Sequence, residues 1–269
     1  MSKADNLRVQ DVRDAYRLIG ECRDFGSHPG FWYQRMLEGL SLLFGVVQAS
    51  GGEAWWQGTG HAIKPISVYS ASNSPAADEA LQAYHQARGM GDDPVFQAIQ
   101  QQPSNLVTRT RRLVVSDADW YGSETFNRYY RPGGLDHHIL SVFQFRADGA
   151  TSGVALNRPT GEPDFSGRER RLLHFFHAEV GRLIGGALVS ATEPGVERLS
   201  PRLRQTLACL FEGDSEKQVA ARLCLSPTTV HQYVKTLYRH FGVNSRAQLL
   251  AHVLKRNLQR PPKAHETAV

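Results

Sequence analysis

Three helix starts crowd into the stretch from Ser200 to Pro227, and they constrain the chain more than any other feature. Ser200-Pro201 and Ser226-Pro227 each set an N-capping hydroxyl before a proline, whose missing N–H is harmless in a first turn. Between them, Ser215-x-x-Gln218 is a capping box, in which the two side chains satisfy each other's backbone donors. Gly213 and Gly242 stand where a left-handed residue closes a helix. The spacing therefore predicts four helices: RLRQTLACLFE, the short EKQVAARL, the longer TTVHQYVKTLYRHF, and a last one from Arg246 to Leu258. Leu203, Leu207 and Leu210 share a face of the first; Val219, Ala220 and Leu223 point inward from the second.

The third helix is two-sided. Val230, Val234, Leu237 and Phe241 follow helical spacing and form one apolar stripe. Thr228, His231, Gln232, Lys235 and Arg239 fall together on the opposite side, which carries no acid. Such a face offers the donors, acceptors and positive charge that read base edges and hold phosphates. A short helix, the connection Cys224-Leu225-Ser226 and a longer helix have helix-turn-helix geometry. A small bundle with a solvated basic face would show the same pattern, so spacing alone leaves both readings open.

Charge divides the chain at the same place. From Gly195 onward there are twelve Lys/Arg against five Asp/Glu, whereas the first 194 residues hold 19 basic and 21 acidic groups. A basic end on a near-neutral body fits an anionic polymer as partner for that end, although a membrane surface would satisfy charge alone. The N-terminus has charges where a signal peptide needs an apolar run, and no apolar stretch is long enough to span a bilayer, so a cytoplasmic protein is expected. Cys22, Cys209 and Cys224 are odd in number and widely spaced, which suits reduced thiols.

The preceding residues mix helices and strands. Helical spacing runs from Leu7 to Ile19 and from Phe31 to Leu40; strand composition marks 43–50 and 64–70. Ser74-Pro75 opens a helix ended by Gly89, and Asp93-Pro94 opens another that stops before Pro103. Leu106 to Val115 reads as a strand with a basic patch at Arg109, Arg111 and Arg112, and Asp117 to Tyr130 as one helix. DHHILSVFQFRADG and ATSGVALNRP read as a hairpin. Ser166-x-x-Glu169 caps a long amphipathic helix from Arg168 to Leu188. This order predicts an α+β sensor-type domain over residues 1–189, its central antiparallel sheet covered by helices. A linker follows over 190–198, then an all-α four-helix domain over 199–260 and a tail over 261–269.

Leu199 to Leu250 resembles the DNA-binding domain of the LuxR (GerE-type) regulators without a gap. The likeness rests on the L-S-P-R opening, the E-G turn, A-x-x-L before the central turn, LS-x-x-TV and GV-x-SRAQL. It implies a transcription regulator that binds double-stranded DNA, with a third helix reading DNA and a fourth pairing two subunits into a homodimer. Carried over by position, His231, Gln232 and Lys235 face bases, while Thr228, Thr229 and Arg239 face phosphates. Tyr233 departs from the family's usual histidine; it lies off the outer face, where packing suits it better than base contact. RNA polymerase is a further candidate partner.

The signal is less legible. Tyr84-x8-Asp93-Pro94-Val95 resembles part of the autoinducer-binding pattern, whose Tyr and Asp hydrogen-bond a ligand amide. The two tryptophans of that pattern are replaced by Ala80 and Thr108, which argues against an acyl-homoserine lactone. A buried Tyr and a helix-capping Asp would explain the pair with no ligand. More loosely, residues 10–188 resemble the GAF- or PAS-like sensor halves found ahead of this helix-turn-helix. A small-molecule ligand and a ligand-independent regulator both remain open. Trp32, Tyr33, Trp55, Trp56, Trp120 and Tyr121 serve either a pocket or a core.

Other chemistry is not expected. His174-x-x-His177 with Glu179 falls short of a converging metal set, and Asp136-His137-His138 lacks a nucleophile paired to a base. Without G-x-S-x-G or a Gly-rich phosphate loop, neither an enzyme nor a cofactor is anticipated. The rival class is a partner-recruiting module whose basic helix meets an acidic protein surface.

Overall fold

The computed structural model describes residues 5–26, 28–56, 64–87, 93–102, 104–192 and 199–258. The chain divides into two units, Met1–Thr192 and Glu193–Val269.

In the first unit, α1 (Val9–Asp24) and α2 (Pro29–Phe44) precede β1 (Gln48–Trp55) and β2 (Lys64–Ser72). Next come α3 (Pro75–Gln86), α4 (Pro94–Gln100), β3 (Leu106–Thr110), α5 (Asp117–Gly122), β4 (Leu135–Gln144), β5 (Ala150–Pro159) and α6 (Gly167–Gly181). The strands form one sheet in the order β2-β1-β5-β4-β3, antiparallel throughout, as expected for a central antiparallel sheet. Helices cover both faces. Alternation along β4 shows the division: Ile139 joins the core made with α1, α2 and α6, and Leu140 joins the core made with α3, α4 and α5.

Several boundaries move, each for a local reason. The strand expected over 43–50 begins only at Gln48, because α2 runs on to Phe44 and Gly45, at φ +61°, closes it. The strand expected over 106–115 ends at Thr110 in a 3₁₀ turn. That turn buries the Arg111 side chain completely and pairs it with Asp117, so the anticipated basic patch loses its middle member. The helix expected over 117–130 is broken at Ser123. Its hydroxyl donates to Trp120 O at 2.7 Å and accepts from Phe126 N at 3.1 Å, and a separate π-helical turn follows at Phe126–Tyr130.

The helix expected over 168–188 stops at Gly181, where a Cβ would lie 2.4 Å from the Phe143 ring; a turn over 183–188 follows. Its predicted capping box is present, Glu169 N bonding Ser166 Oγ at 3.2 Å and Ser166 N bonding Glu169 at 2.8 Å. Leu172, Leu173, Phe176 and Val180 of α6 are buried in the core with α1, α2 and the sheet, leaving only the helix's polar side for other contacts. Nor does the body end at Ser190: Ser190 and Ala191 are buried, and the first unit extends through Thr192. Gly89, Pro103 and the tail over 261–269 lie outside the described residues.

The second unit holds α7 (Pro201–Phe211), α8 (Glu216–Leu223), α9 (Pro227–Phe241) and α10 (Arg246–Leu258), matching the four expected helices. Leu207, Leu210, Val219, Ala220, Val230, Val234, Leu237, Phe241 and Leu249 form its core. At about 25 cal/mol per Å² of apolar surface, burial on this scale is what lets so small a helical unit stand as a folded body.

Candidate functional site

The α8–α9 corner is built by its caps. Ser215 and Gln218 form the predicted capping box at the start of α8, and Ser226 Oγ accepts from Thr229 N at 3.1 Å to open α9. Between the helices Cys224 takes φ +53° and ψ +48°, the one left-handed non-glycine among the described residues. In that conformation it closes α8 while Leu225 N reaches back to Ala220 O at 2.9 Å, so the chain reverses within three residues. Arg246, which spacing did not single out, donates to Leu210 O at 2.6 Å and Asp214 O at 2.8 Å, pinning α10 to the α7–α8 connection. Its only sequence signal was its place in the SRAQL phrase.

On α9 the two predicted faces separate cleanly. Val230, Val234, Leu237 and Phe241 are buried, whereas Thr228, His231, Gln232, Lys235 and Arg239 are exposed together. Thr229, assigned to phosphate, is half-buried, and its hydroxyl lies 2.8 Å from Ser226 Oγ in the cap. Tyr233 is half-buried off the outer face. Lys235 has no hydrogen bond or ion pair among the described residues. One feature was invisible in α9's own sequence: Glu216, at the start of α8, places its carboxylate 3.0 Å from His231 Nδ1, so an acid does border the exposed polar face.

Residues 197–253 match the GerE profile of bacterial regulatory proteins, luxR family. The second unit is a luxR-family helix-turn-helix domain. No curated protein sequence matches the chain. Among solved structures, similar ones include Escherichia coli SdiA, 15% identical over 91% of this chain and 98% of that one, with a TM-score of 0.42. The LBD domain of Pseudomonas aeruginosa VqsR is 12% identical over 62% of this chain and 93% of that one, at 0.44. Burkholderia cenocepacia CepR2, described as an N-acylhomoserine lactone dependent LuxR family transcription factor, is 13% identical over 65% and 96%, at 0.40.

In the first unit, Tyr84 and Asp93 do meet. Tyr84 donates to Asp93 Oδ2 at 2.8 Å, and Asp93 Oδ1 caps α4 by accepting from Val95 N at 2.7 Å and Phe96 N at 3.2 Å. Burial pushes both pKa values up. The pair thus satisfies itself. Ala80 lies against the 131–134 turn, where even a Cβ on Gly133 would come within 2.9 Å of it, and Thr108 is buried in hydrogen bonds to Ser141 and His174.

Beside this pair, a cavity of about 90 Å³ opens on the α3–α4 side of the sheet. Ser50, Gly52, Ala54, Leu140, Val142, Gly153 and Ala155 form its sheet wall, with Trp56, His85 and Phe96 on the margin. Gly153 makes room: a Cβ there would meet nothing within 4 Å. Trp56 Nε1 and both ring nitrogens of His85 are buried without a hydrogen-bond partner among the described residues. Desolvation lowers the His85 pKa to about 4, leaving a neutral imidazole. Among the described residues no Lys or Arg lines the cavity. Sequence reasoning missed His85 and Gly153, since neither sits in a motif; Trp56 was noted only as one of six aromatics.

The other aromatics are core or surface. Trp32, Tyr33 and Trp120 are fully buried, Tyr121 is 39% exposed, and the Trp55 ring lies 5.6 Å from the Arg146 guanidinium. His174 is exposed and bonded to Thr108, His177 is buried between Ser141 and Ser152, and Glu179 pairs with Arg182. Asp136 accepts from Tyr121, and His138 packs against Trp120 and Tyr130. Among the described residues no three His, Cys, Asp or Glu side chains are grouped to hold a metal, and no helix is long and apolar enough to cross a membrane.

Proposed function

We propose that this chain is a transcription regulator that binds duplex DNA through α9 and takes a small neutral ligand in the cavity of its first unit. The carrying observation is the joint exposure of Thr228, His231, Gln232, Lys235 and Arg239 on a helix whose opposite stripe is buried. That face enters a major groove with Gln232, His231 and Lys235 toward base edges and Thr228, Thr229 and Arg239 toward phosphates. The proposal includes a homodimer on a two-fold site, its half-sites about one helical turn apart, acting in the cytoplasm. For the ligand, the lining supports an apolar body: among the described residues a charged group would meet no basic side chain and a neutral imidazole. Its polar group would pair with Trp56 Nε1 and His85 rather than with Tyr84 and Asp93, which already bond each other.

Mobility shifts on genomic fragments at several salt concentrations test the DNA reading. Affinity should fall steeply with salt, as counterion release requires. Lys235→Ala should weaken binding by about 1–3 kcal/mol without loss of helix content. A chain that shifts no DNA at any salt refutes the reading and favours the partner-recruiting module. Wild-type affinity in Lys235→Ala refutes the placement of that residue.

A further inference from the structure

The segment by which the chain leaves its first unit is fastened to the strand that walls the cavity. Glu53 lies on β1 and is 1% exposed. Glu53 belongs with Gly52 and Ala54 to the stretch of β1 that walls the cavity, while by strand alternation its side chain lies on the opposite face of the sheet from theirs. There its carboxylate accepts from Ala191 N at 2.9 Å, from Thr192 N at 3.2 Å and from the Ser190 hydroxyl. Just upstream, Trp32 Nε1 donates to Val189 O at 2.9 Å and Val189 N donates to Gly26 O at 2.8 Å. Arg146 adds a contact to Thr192 Oγ1 at 3.3 Å. A buried carboxylate persists only while its oxygens are hydrogen-bonded, so this arrangement holds residues 190–192 as a unit or releases them as one.

We propose that Glu53 is a positioning residue, a latch through which occupancy of the cavity governs how firmly residues 190–192 are held. This rests on the cavity reading given above. With the cavity empty, β1 lacks packing on one side, and its fluctuations reach Glu53 directly. A ligand against Gly52 and Ala54 restores that packing and tightens the latch. Opening it frees three residues, which at about 3.3–3.6 Å each move the attachment point of the DNA-binding unit by up to about 10 Å.

Hydrogen exchange of the full chain, followed by mass spectrometry over residues 186–192, tests this with benzene as the neutral apolar probe. Glu53→Ala should speed exchange at Ala191 and Thr192 at least tenfold while β5 stays protected. Glu53→Gln, which keeps one acceptor, should fall between, and serves if the alanine variant does not fold. The probe should slow exchange at 191–192 at least threefold in the wild type and not in Glu53→Ala, a dependence that a merely structural carboxylate would not produce. Gly153→Leu fills the cavity without any ligand and should slow exchange in the same way. If the probe does not bind, the cavity reading fails, and Gly153→Leu alone decides the latch. Exchange at 191–192 that ignores both the bound probe and Gly153→Leu, or ignores Glu53→Ala, overturns the proposal.

Discussion

Cys224→Gly isolates the backbone conformation on which the helix-turn-helix corner depends. At φ +53° and ψ +48° Cys224 sits in the left-handed well, which disfavours a residue with a Cβ by roughly 1–2 kcal/mol. Glycine removes that strain but gives the unfolded chain more freedom, an offset of about 0.5–1 kcal/mol. The side chain is exposed, so little burial is lost. The net expectation is a gain of about 0.5–1 kcal/mol, which in a unit this small raises the melting point by about 2–8 °C. Calorimetry on the full chain should show the gain only in the transition of the helical unit. Cys224→Ala keeps the left-handed backbone and should not reproduce it, and DNA affinity should be unchanged in both. A melting point for Cys224→Gly at or below wild type, with helix content intact, would refute the strain assignment.

Two further outcomes are open to measurement. Glu216→Gln keeps a hydrogen-bonding group beside His231 but removes the negative charge bordering the reading face, so DNA should bind several-fold more tightly at low salt, with the advantage fading as screening shortens to about 10 Å near 0.1 M; equal affinity at low salt would contradict the orientation of that face. Burial lowers the pKa of His138 and of His177 to about 3 each, against about 6.5 when unfolded. The unfolded state therefore binds more protons, and the stability from keeping these rings neutral is complete above pH 6.5 and drains away as pH falls toward 3. Unfolding free energies from urea titrations followed by tryptophan fluorescence should drop between pH 7 and 5, by up to about 2 kcal/mol for each ring, and less in His177→Gln. An unfolding free energy equal at both pH values would rule the buried neutral rings out as the source.

How much was legible differs between the two units. In the second, Ser200, Ser215 and Ser226 cap helices within their own first turns, and Val230, Val234, Leu237 and Phe241 mark their face by spacing alone. These are local interactions, so reading them needed only the neighbouring residues. In the first unit, Ser123 breaks a helix through hydrogen bonds that compete with the helical pattern, and position 181 at the end of α6 is confined to glycine because a distant Phe143 leaves no space for a side chain. The Tyr84–Asp93 pairing was visible as a spacing, but its self-satisfied geometry was not.

Periodicity and capping chemistry, written along the chain, were enough to establish four helices with one basic, acid-free face, and a sheet-and-helix body ahead of them. Only the folded chain could bring Glu216 beside His231, empty the space above Gly153, or lay residues 190–192 on Glu53. Each of these joins residues far apart in sequence, and their partnership depends on sheet alternation and close approach, which no local pattern encodes.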